Sequence, residues 1–498
     1  MAKEVLKVKK TPSSKTSSKK SNDFKKSILY VTSEVQPFCA TGGLADVCGS
    51  LPNKLKEEYP SSDIRVILPL YKNMKIEREK LTYIANTYVN LSWRKEYCGI
   101  FTYKKDDVVY YFLDNEKYFK RDNYYGYGDD AERFAFFSKS VLEVLPILDF
   151  YPEIIHCNDW QSALVPVYLK TYNWNNPKYN EMKTIITIHN ILYQGRYGKE
   201  ILSDVLGFDQ KDAGLLLHHG DVNFMKASML CADRVTTVSD SYSKEIQTPE
   251  GGNGLDDIAR QVSYKLSGIV NGLDYTFYNP SIDKAIWSNF DSNSLENKAK
   301  NKEELQKFFN VEVNPNVPVL SLVTRLVQNK GLDFVRDTIE GVLNSTDAQL
   351  VAIGTGDKQY EDFLNYLNRK YPNRVGVYLG FVVDIGKKIY AGSDIFMMPS
   401  ISEPCGLSQM IASRYGAVPL VREVGGLKDT IKDFGCIEGG NGYTFHDCNS
   451  KDFEYSLRRA INDYHDKKAW TDKIKTVMKK DFSWSFSMNN YVNLYKQM

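Results

Sequence analysis

Short apolar runs, each closed by polar or turn residues, recur along most of the chain. The first series is 27–32 (SILYVT), 64–68 (IRVIL), 108–113 (VVYYFL), Ile154 and Ile155 before His156, 184–188 (TIITI) and 234–238 (RVTTV). Longer helix-like segments lie between them, and a Gly-rich turn at 41–44 (TGGL) follows the first run. Strand, Gly-rich loop and helix in that order open a doubly wound α/β sheet, and the alternation predicts mostly parallel strands with helices on both faces. Residues 275–316 are polar and Asn-rich, and then the pattern restarts at 317–323 (VPVLSLV), 349–353 (QLVAI), 375–379 (VGVYL), 395–398 (IFMM) and 418–421 (VPLV). The fold class predicted is α/β, with two Rossmann-like halves facing one another across a cleft. Chemistry then belongs on the loops after each run, at the carboxyl ends of the strands.

Charge changes the picture at one end. The 498 residues carry 64 basic and 62 acidic side chains, but residues 1–26 hold nine lysines against Glu4 and Asp23, so the remainder is mildly acidic. A near-neutral body argues against a nucleic-acid grip over the whole surface. The Lys/Ser/Thr-rich stretch 1–26 has little to bury and is predicted to be a disordered basic leader. No run approaches a membrane span, no apolar signal region opens the chain, and eight scattered cysteines form neither a disulfide framework nor a zinc motif. These features predict a cytoplasmic protein with free, buried thiols.

Candidate chemistry sits where the fold class places it. Arg325 and Lys330 leave the end of the 317–323 run, and two cations there suit a diphosphate. Glu403 follows the 395–398 run in PSISEPCGL, where it is either a hydroxyl acceptor for a sugar or a cap of the next helix. Gly42 and Gly43 in TGGLAD are twinned with Gly425 and Gly426 in VGGLKDT, and both turns predict backbone amides turned to one cleft. Asp159, in HCNDWQ, and His189, in THNILYQG, end adjacent runs and make a polar centre, while His156 reads as a packed strand-end residue. With no metal-spaced His/Asp/Glu cluster, a metal-free mechanism with no cofactor is expected.

Over residues 27–498 these motifs resemble, in order, the bacterial glycogen synthases and plant starch synthases, family 5 of the retaining glycosyltransferases. The segments that carry the resemblance are SEVQPFCATGGLADVCGSLP, YYGYGDDAERFAFF, HCNDWQSAL, HNILYQG, VNFMKA, IVNGLD, TRLVQNKGLD, SEPCGLSQM and VGGLKDT. The resemblance implies an acceptor-side Rossmann-like domain at 27–272, a nucleotide-sugar-side domain at 273–480 and a final segment, 481–498, crossing back to the first. It implies glucose transfer from a nucleotide sugar, usually ADP-glucose, to the non-reducing end of an α-1,4-glucan with retention. Arg325 and Lys330 are implied to clamp the diphosphate, Glu403 with Cys405, Gly406 and Leu407 to hold the donor glucose, and Asp159, His189 and Asn190 to line the reacting centre, with Tyr193 and Gln194 in the same loop. Ala40, Thr41, Gly42 and Gly43, and Val424, Gly425, Gly426 and Leu427, fall at the family's two Gly-rich substrate loops. The chain departs from the family at Ala40, where a Lys is usual, at Ser402, where a large residue is usual, and at Val424, where Thr is common. Ala40 keeps a second reading open, a catalytically weak glucan-binding or regulatory paralogue, and the sequence leaves ADP-glucose against UDP-glucose open.

Overall fold

A computed structural model describes residues 24–172, 174–435 and 439–498. Most of the predicted leader, residues 1–23, lies outside the described residues. Its last three residues do not behave as a leader. Phe24 is buried, with its ring edge-on to Tyr59 at 5.2 Å and stacked on Tyr495 at 6.2 Å, and Lys26 pairs with Glu153 at 2.9 Å. One aromatic ring that fills a gap between two helices is enough to bring this end into the core.

The first half is a nine-stranded sheet. Its strands are β1 (Ser27–Val31), β2 (Asp63–Pro69), β3 (Thr82–Leu91), β4 (Arg94–Lys105), β5 (Val108–Asp114), β6 (Ile154–Asn158), β7 (Lys183–Ile188), β8 (Arg234–Thr237) and β9 (Leu266–Gly268), in the spatial order β9-β8-β7-β6-β1-β2-β5-β4-β3. All six predicted runs are central strands with parallel neighbours, β5 also pairing antiparallel with β4, because residues buried on both faces read as continuous apolar runs. Three strands of this sheet went unpredicted: the short edge strand β9, and β3 and β4, an antiparallel hairpin at the other edge. β3 carries its exposed residues on both faces over its first half, so it offers no clean apolar run to read. A small antiparallel sheet formed by residues 196–197, 217–218 and 221–223 also went unpredicted.

The second half is a six-stranded parallel sheet. Its strands are β10 (Val319–Val323), β11 (Gln349–Gly354), β12 (Val375–Leu379), β13 (Ile395–Met398), β14 (Val418–Arg422) and β15 (Tyr443–Phe445), in the order β12-β11-β10-β13-β14-β15. The strand order reverses on either side of β10, which opens a crevice between the loops after β10 and β13.

The chain passes between the halves twice, side by side. The Leu273 N–H donates to the Phe482 carbonyl at 2.7 Å, and Leu273 pairs with Ser483 in a parallel bridge. Ile269 belongs to the first core and Leu273 to the second, whereas Phe482 belongs to the second and Trp484 to the first. A Cβ on Gly272 would lie 2.5 Å from the Trp484 Cα, so only glycine allows the two passes this close. The last helix packs its Trp484, Tyr491 and Tyr495 into the first core. Among the described residues, no helix is long and apolar enough to cross a membrane.

Candidate functional site

A cavity of about 2340 Å³ separates the two halves, and its walls are loops at the carboxyl ends of the strands. The loop after β1 brings Ala40, Thr41, Gly42 and Gly43 to the first wall, all four exposed, and Gly43 starts the 16-residue helix α1 (Gly43–Glu58). The loop after β6 brings Asp159, and the loop after β7 brings His189, Asn190 and Tyr193. Across from them stand Arg325 and Lys330 after β10, and Glu403, Cys405, Gly406 and Leu407 after β13. A Cβ on Gly43 would lie 3.7 Å from the Leu407 Cδ1, so the two walls nearly touch there.

Asp159 is held in the left-handed region at φ 56°, an uncommon conformation for a residue with a Cβ. Its N–H donates to the Thr187 carbonyl at 3.0 Å, and its Oδ1 accepts from the His189 N–H at 2.7 Å. Burial raises its carboxyl to about 7; the His189 and Asn190 amides oppose that shift and the Glu34 charge adds to it. Burial also holds the His189 imidazole down to about 3, so it is neutral at physiological pH. The Asn158 amide donates to the Val31 and His156 carbonyls, both at 3.2 Å, which leaves its Oδ1 as acceptor to His189 Nε2 at 3.0 Å. The Nε2 nitrogen therefore carries the proton and Nδ1 the lone pair. His156 is a packed residue between Tyr495 Oη at 2.9 Å and Thr187 Oγ1 at 2.6 Å.

Glu403 is buried, and its Oε2 accepts from Lys330 Nζ at 2.6 Å and from Ser400 Oγ at 2.9 Å. It does not cap the helix that follows: the helix Ser408–Arg414 begins after Leu407 with no side-chain cap, which rejects the helix-cap alternative. Gly406, at φ 72°, turns the chain into that helix, and its carbonyl and that of Cys405 accept from Gln409 Nε2. Arg325 is exposed on the cleft and forms no ion pair among the described residues. The pair of cations is thus split: Lys330 is matched by Glu403, and Arg325 is free for an anion.

The family described as "Starch synthase catalytic domain" matches residues 27–261, and "Glycosyl transferases group 1" matches residues 303–477. The glycogen synthase of Desulforamulus reducens is 46% identical over 475 residues, covering 95% of this chain and 98% of that one. The glycogen synthase of Bacillus cereus (strain ATCC 10987) is 43% identical with coverage of 95% and 99%. Among solved structures, the catalytic domain of starch synthase IV from Arabidopsis thaliana, bound to ADP and acarbose, superposes with a TM-score of 0.88 at 31% identity, covering 95% of this chain and 99% of that one. Sucrose-phosphate synthase from Thermosynechococcus elongatus, at 15% identity and a TM-score of 0.60, shares the fold. The chain belongs to the glycogen and starch synthase family. It is a glucosyltransferase of glycogen or starch synthesis.

For a member of this family, five of the predicted substrate residues stand off the cleft. Val424, Gly425, Gly426 and Leu427 do not line it. The Gly425 N–H donates to Glu245 Oε1 at 2.7 Å, and the Gly426 N–H to the Glu403 and Pro404 carbonyls, both at 3.1 Å. A Cβ on Gly425 would fall 2.1 Å from the Glu403 carbonyl oxygen, and one on Gly426 2.3 Å from that of Cys405. The close approach these glycines permit is to the chain's own Glu403 loop, and their amides are already bonded. Gln194 is also turned away: its Nε2 donates to the Ile191 and Asn253 carbonyls and its Oε1 accepts from Asn223, so it braces the loop that carries Tyr193. Lys226, the other first-half cation of the quoted motifs, is spent on the Gly214 and Leu217 carbonyls at 2.8 and 2.6 Å.

Three further residues enter that the sequence reading left without a role. Glu34 follows β1 and is buried beside Thr41. Asn271, at the crossing between the halves, lines the cleft with a buried Oδ1 that has no hydrogen-bond partner among the described residues. Phe381, just past β12, is 74% exposed at the cleft wall, a large ring left in water at a strand end. The signal for Phe381 was present, an aromatic after a strand and a glycine, but it carries no charge and so drew no chemical reading. No group of three or more His, Cys, Asp or Glu side chains among the described residues is arranged to hold a metal ion.

Proposed function

We propose that the enzyme transfers glucose from ADP-glucose to the non-reducing end of an α-1,4-glucan, with retention and without a metal or other cofactor, in the cytoplasm. The observation that carries this reading is the free Arg325 beside the Lys330–Glu403 pair on one wall, facing Asp159, His189 and the start of α1 on the other. A diphosphate between those walls meets Arg325 and Lys330 from one side and the positive end of a long helix from the other. Charge stabilisation of the leaving group then comes from the chain itself. The ring of Phe381 offers the base a stacking face. Once a phosphate draws Lys330 toward it, the Glu403 carboxylate is released to accept hydrogen bonds from glucose hydroxyls, and the Cys405–Leu407 backbone flanks the ring. Tyr193 and Asn190 line the approach of the glucan.

In the transfer, the bond from glucose C1 to the β-phosphate oxygen breaks with both electrons going to the phosphate. The acceptor O4 bonds to C1 from the same face, and its proton passes to the departing diphosphate. Positive charge grows on C1 in between, so the enzyme's main tasks are positioning and charge stabilisation. Ionised Asp159 and the neutral His189 lie where that charge can be opposed without a competing cation. The similarity to a starch synthase IV solved with ADP and acarbose supports a nucleotide-sugar donor and a glucan acceptor. The alternative of a weak regulatory paralogue rests on Ala40 and the basic leader, whereas Arg325, Lys330 and Glu403 all stand in the cleft.

The test is incorporation of radiolabel into glycogen from labelled ADP-glucose and UDP-glucose, alone and in competition. Label enters the polymer, with ADP-glucose preferred, if the reading is right. Glycogen bound but unlabelled by either donor contradicts it and favours the paralogue.

A further inference from the structure

The segment 124–137, a motif of the family resemblance, has no part in the reading above. Its Tyr125 lines the cleft, donates its hydroxyl to Glu34 Oε1 at 2.7 Å and shares a 2.8 Å hydrogen bond with Ser33 Oγ. Glu34 is 3% exposed and has no cation partner among the described residues. Its carboxylate is instead filled by three donors: Tyr125, the Thr41 hydroxyl at 2.7 Å and the Thr41 N–H. A buried carboxylate is retained only where such donors satisfy it. Glu34 is itself fixed from below, since its N–H donates to Thr32 Oγ1 at 3.2 Å and its carbonyl accepts from the same hydroxyl at 2.9 Å. Behind Tyr125 the loop is anchored in turn. Asp130 accepts from the Gly126 and Tyr127 N–H groups at 2.7 and 3.2 Å and pairs with Arg133, a fully buried guanidinium.

The glycine-rich loop needs that hold. Its base is fixed by Phe38, packed against Tyr110 and Phe112, and by the Gln36 N–H donating to the Ala45 carbonyl at 3.0 Å. Residues 40–43 beyond that base are exposed, and the bonds from Thr41 to Glu34 are the only side-chain hydrogen bonds on them among the described residues. With Ala at position 40, this loop brings no cation to the cleft. What it can offer an anion is the orientation of its amides.

We propose that Glu34, locked by Tyr125, is the positioning residue that holds Thr41 so that the N–H groups of Gly42, Gly43 and Leu44 face the donor's diphosphate. This rests on the donor reading given above. It gives segment 124–137 a task, which is to fix the one carboxylate that sets the loop.

The experiment measures ADP affinity by calorimetry for wild type, Glu34→Ala, Glu34→Gln and Tyr125→Phe, with hydrogen–deuterium exchange over residues 40–44 in each. Gln keeps an acceptor for the Thr41 N–H and can donate to the hydroxyls, so it should restore most of the function. The expected result is a loss of about tenfold or more in ADP affinity for Glu34→Ala, with the loss in donor KM exceeding that in kcat. Exchange at 40–44 should be faster, glucan affinity unchanged, and Tyr125→Phe intermediate. ADP affinity or loop exchange at the wild-type level in Glu34→Ala overturns the proposal. Should that variant fail to fold, wild-type affinity and exchange in Tyr125→Phe overturn it equally. Wild type that binds no ADP would defeat the donor reading instead, and the exchange data would still decide whether Glu34 holds the loop.

Discussion

At the scale of single residues, the centre of the cleft is a set of charges held in defined states by burial and neighbours. Glu403 is bonded to Lys330 and Ser400. Replacing it with Ala removes the partner of Lys330 and the acceptor proposed for the donor glucose. The expected loss is about 2–4 kcal/mol in transition-state stabilisation, or roughly two to three decades in kcat/KM, with the fold retained. Steady-state kinetics with a melting curve checks it, and activity within threefold of wild type would remove Glu403 from the reacting centre. The carboxyl of Asp159, raised to about 7, makes a second prediction. If the ionised form opposes charge on C1, kcat/KM rises with pH through a midpoint near 7, and His189, held near 3, adds no limb there. Stability runs the other way: between the ordinary carboxylate range and 7 the folded chain holds a proton that the unfolded chain has lost, so stability falls as pH rises through that window. The residual activity of Asp159→Asn should lose the limb, and its stability should lose that dependence. Asp46, raised to about 6 by burial and Glu34, is the neighbour whose titration the Asn variant separates from that of Asp159. Charge-bearing residues were the legible part of the site, because a charge at a strand end announces chemistry. Glu34 and Phe381 were not, since the task of one depends on Thr41 folding back to it and that of the other on being left exposed.

At the scale of elements, local pattern predicted eleven strands, β12 at a sheet edge among them, and missed β3, β4, β9 and β15; it also misplaced features whose partners are distant in sequence. The two Gly-Gly turns look equivalent on the page, yet only the first faces the cleft. The second is covered by the helix Asp240–Glu245 of the first half, through Glu245 to the Gly425 N–H and Ser241 to both oxygens of Asp429. Nothing within VGGLKDT encodes that covering helix. The N-terminal boundary fails for a similar reason, because Phe24 finds its place only against Tyr59 and Tyr495, far along the chain. Two truncations measure this. Removing residues 1–26 should cost about 2–4 kcal/mol relative to removing residues 1–22, the main difference being a buried phenylalanine, with the Lys26–Glu153 pair beside it. Chemical denaturation of the two shortened chains gives the number, and equal stabilities would show that Phe24 does not join the core.

At the scale of the whole molecule, the proposed reading has the donor's diphosphate served from two sides, and Ala40 bears on how much the first side contributes. The second half brings Arg325 and Lys330, while the first brings helix and loop amides with no cation from position 40. Ala40→Lys should therefore lower the donor concentration for half-maximal rate by about 1–2 kcal/mol, or roughly five- to thirtyfold, as one exposed and partly screened contact. The gain should shrink with added salt. An unchanged half-saturation would mean that closure of the two halves does not bring position 40 to the phosphates. The central claim, retaining transfer of glucose onto an α-1,4-glucan, has a more direct test. ADP-glucose labelled with carbon-13 at C1 is incubated with a maltooligosaccharide and the purified chain, and the anomeric signals are followed by NMR as ADP is released. The account predicts loss of the donor signal with matching growth of an α-1,4-linked signal at the non-reducing end. A β-linked product, or ADP release with the label appearing only as free glucose, would contradict it.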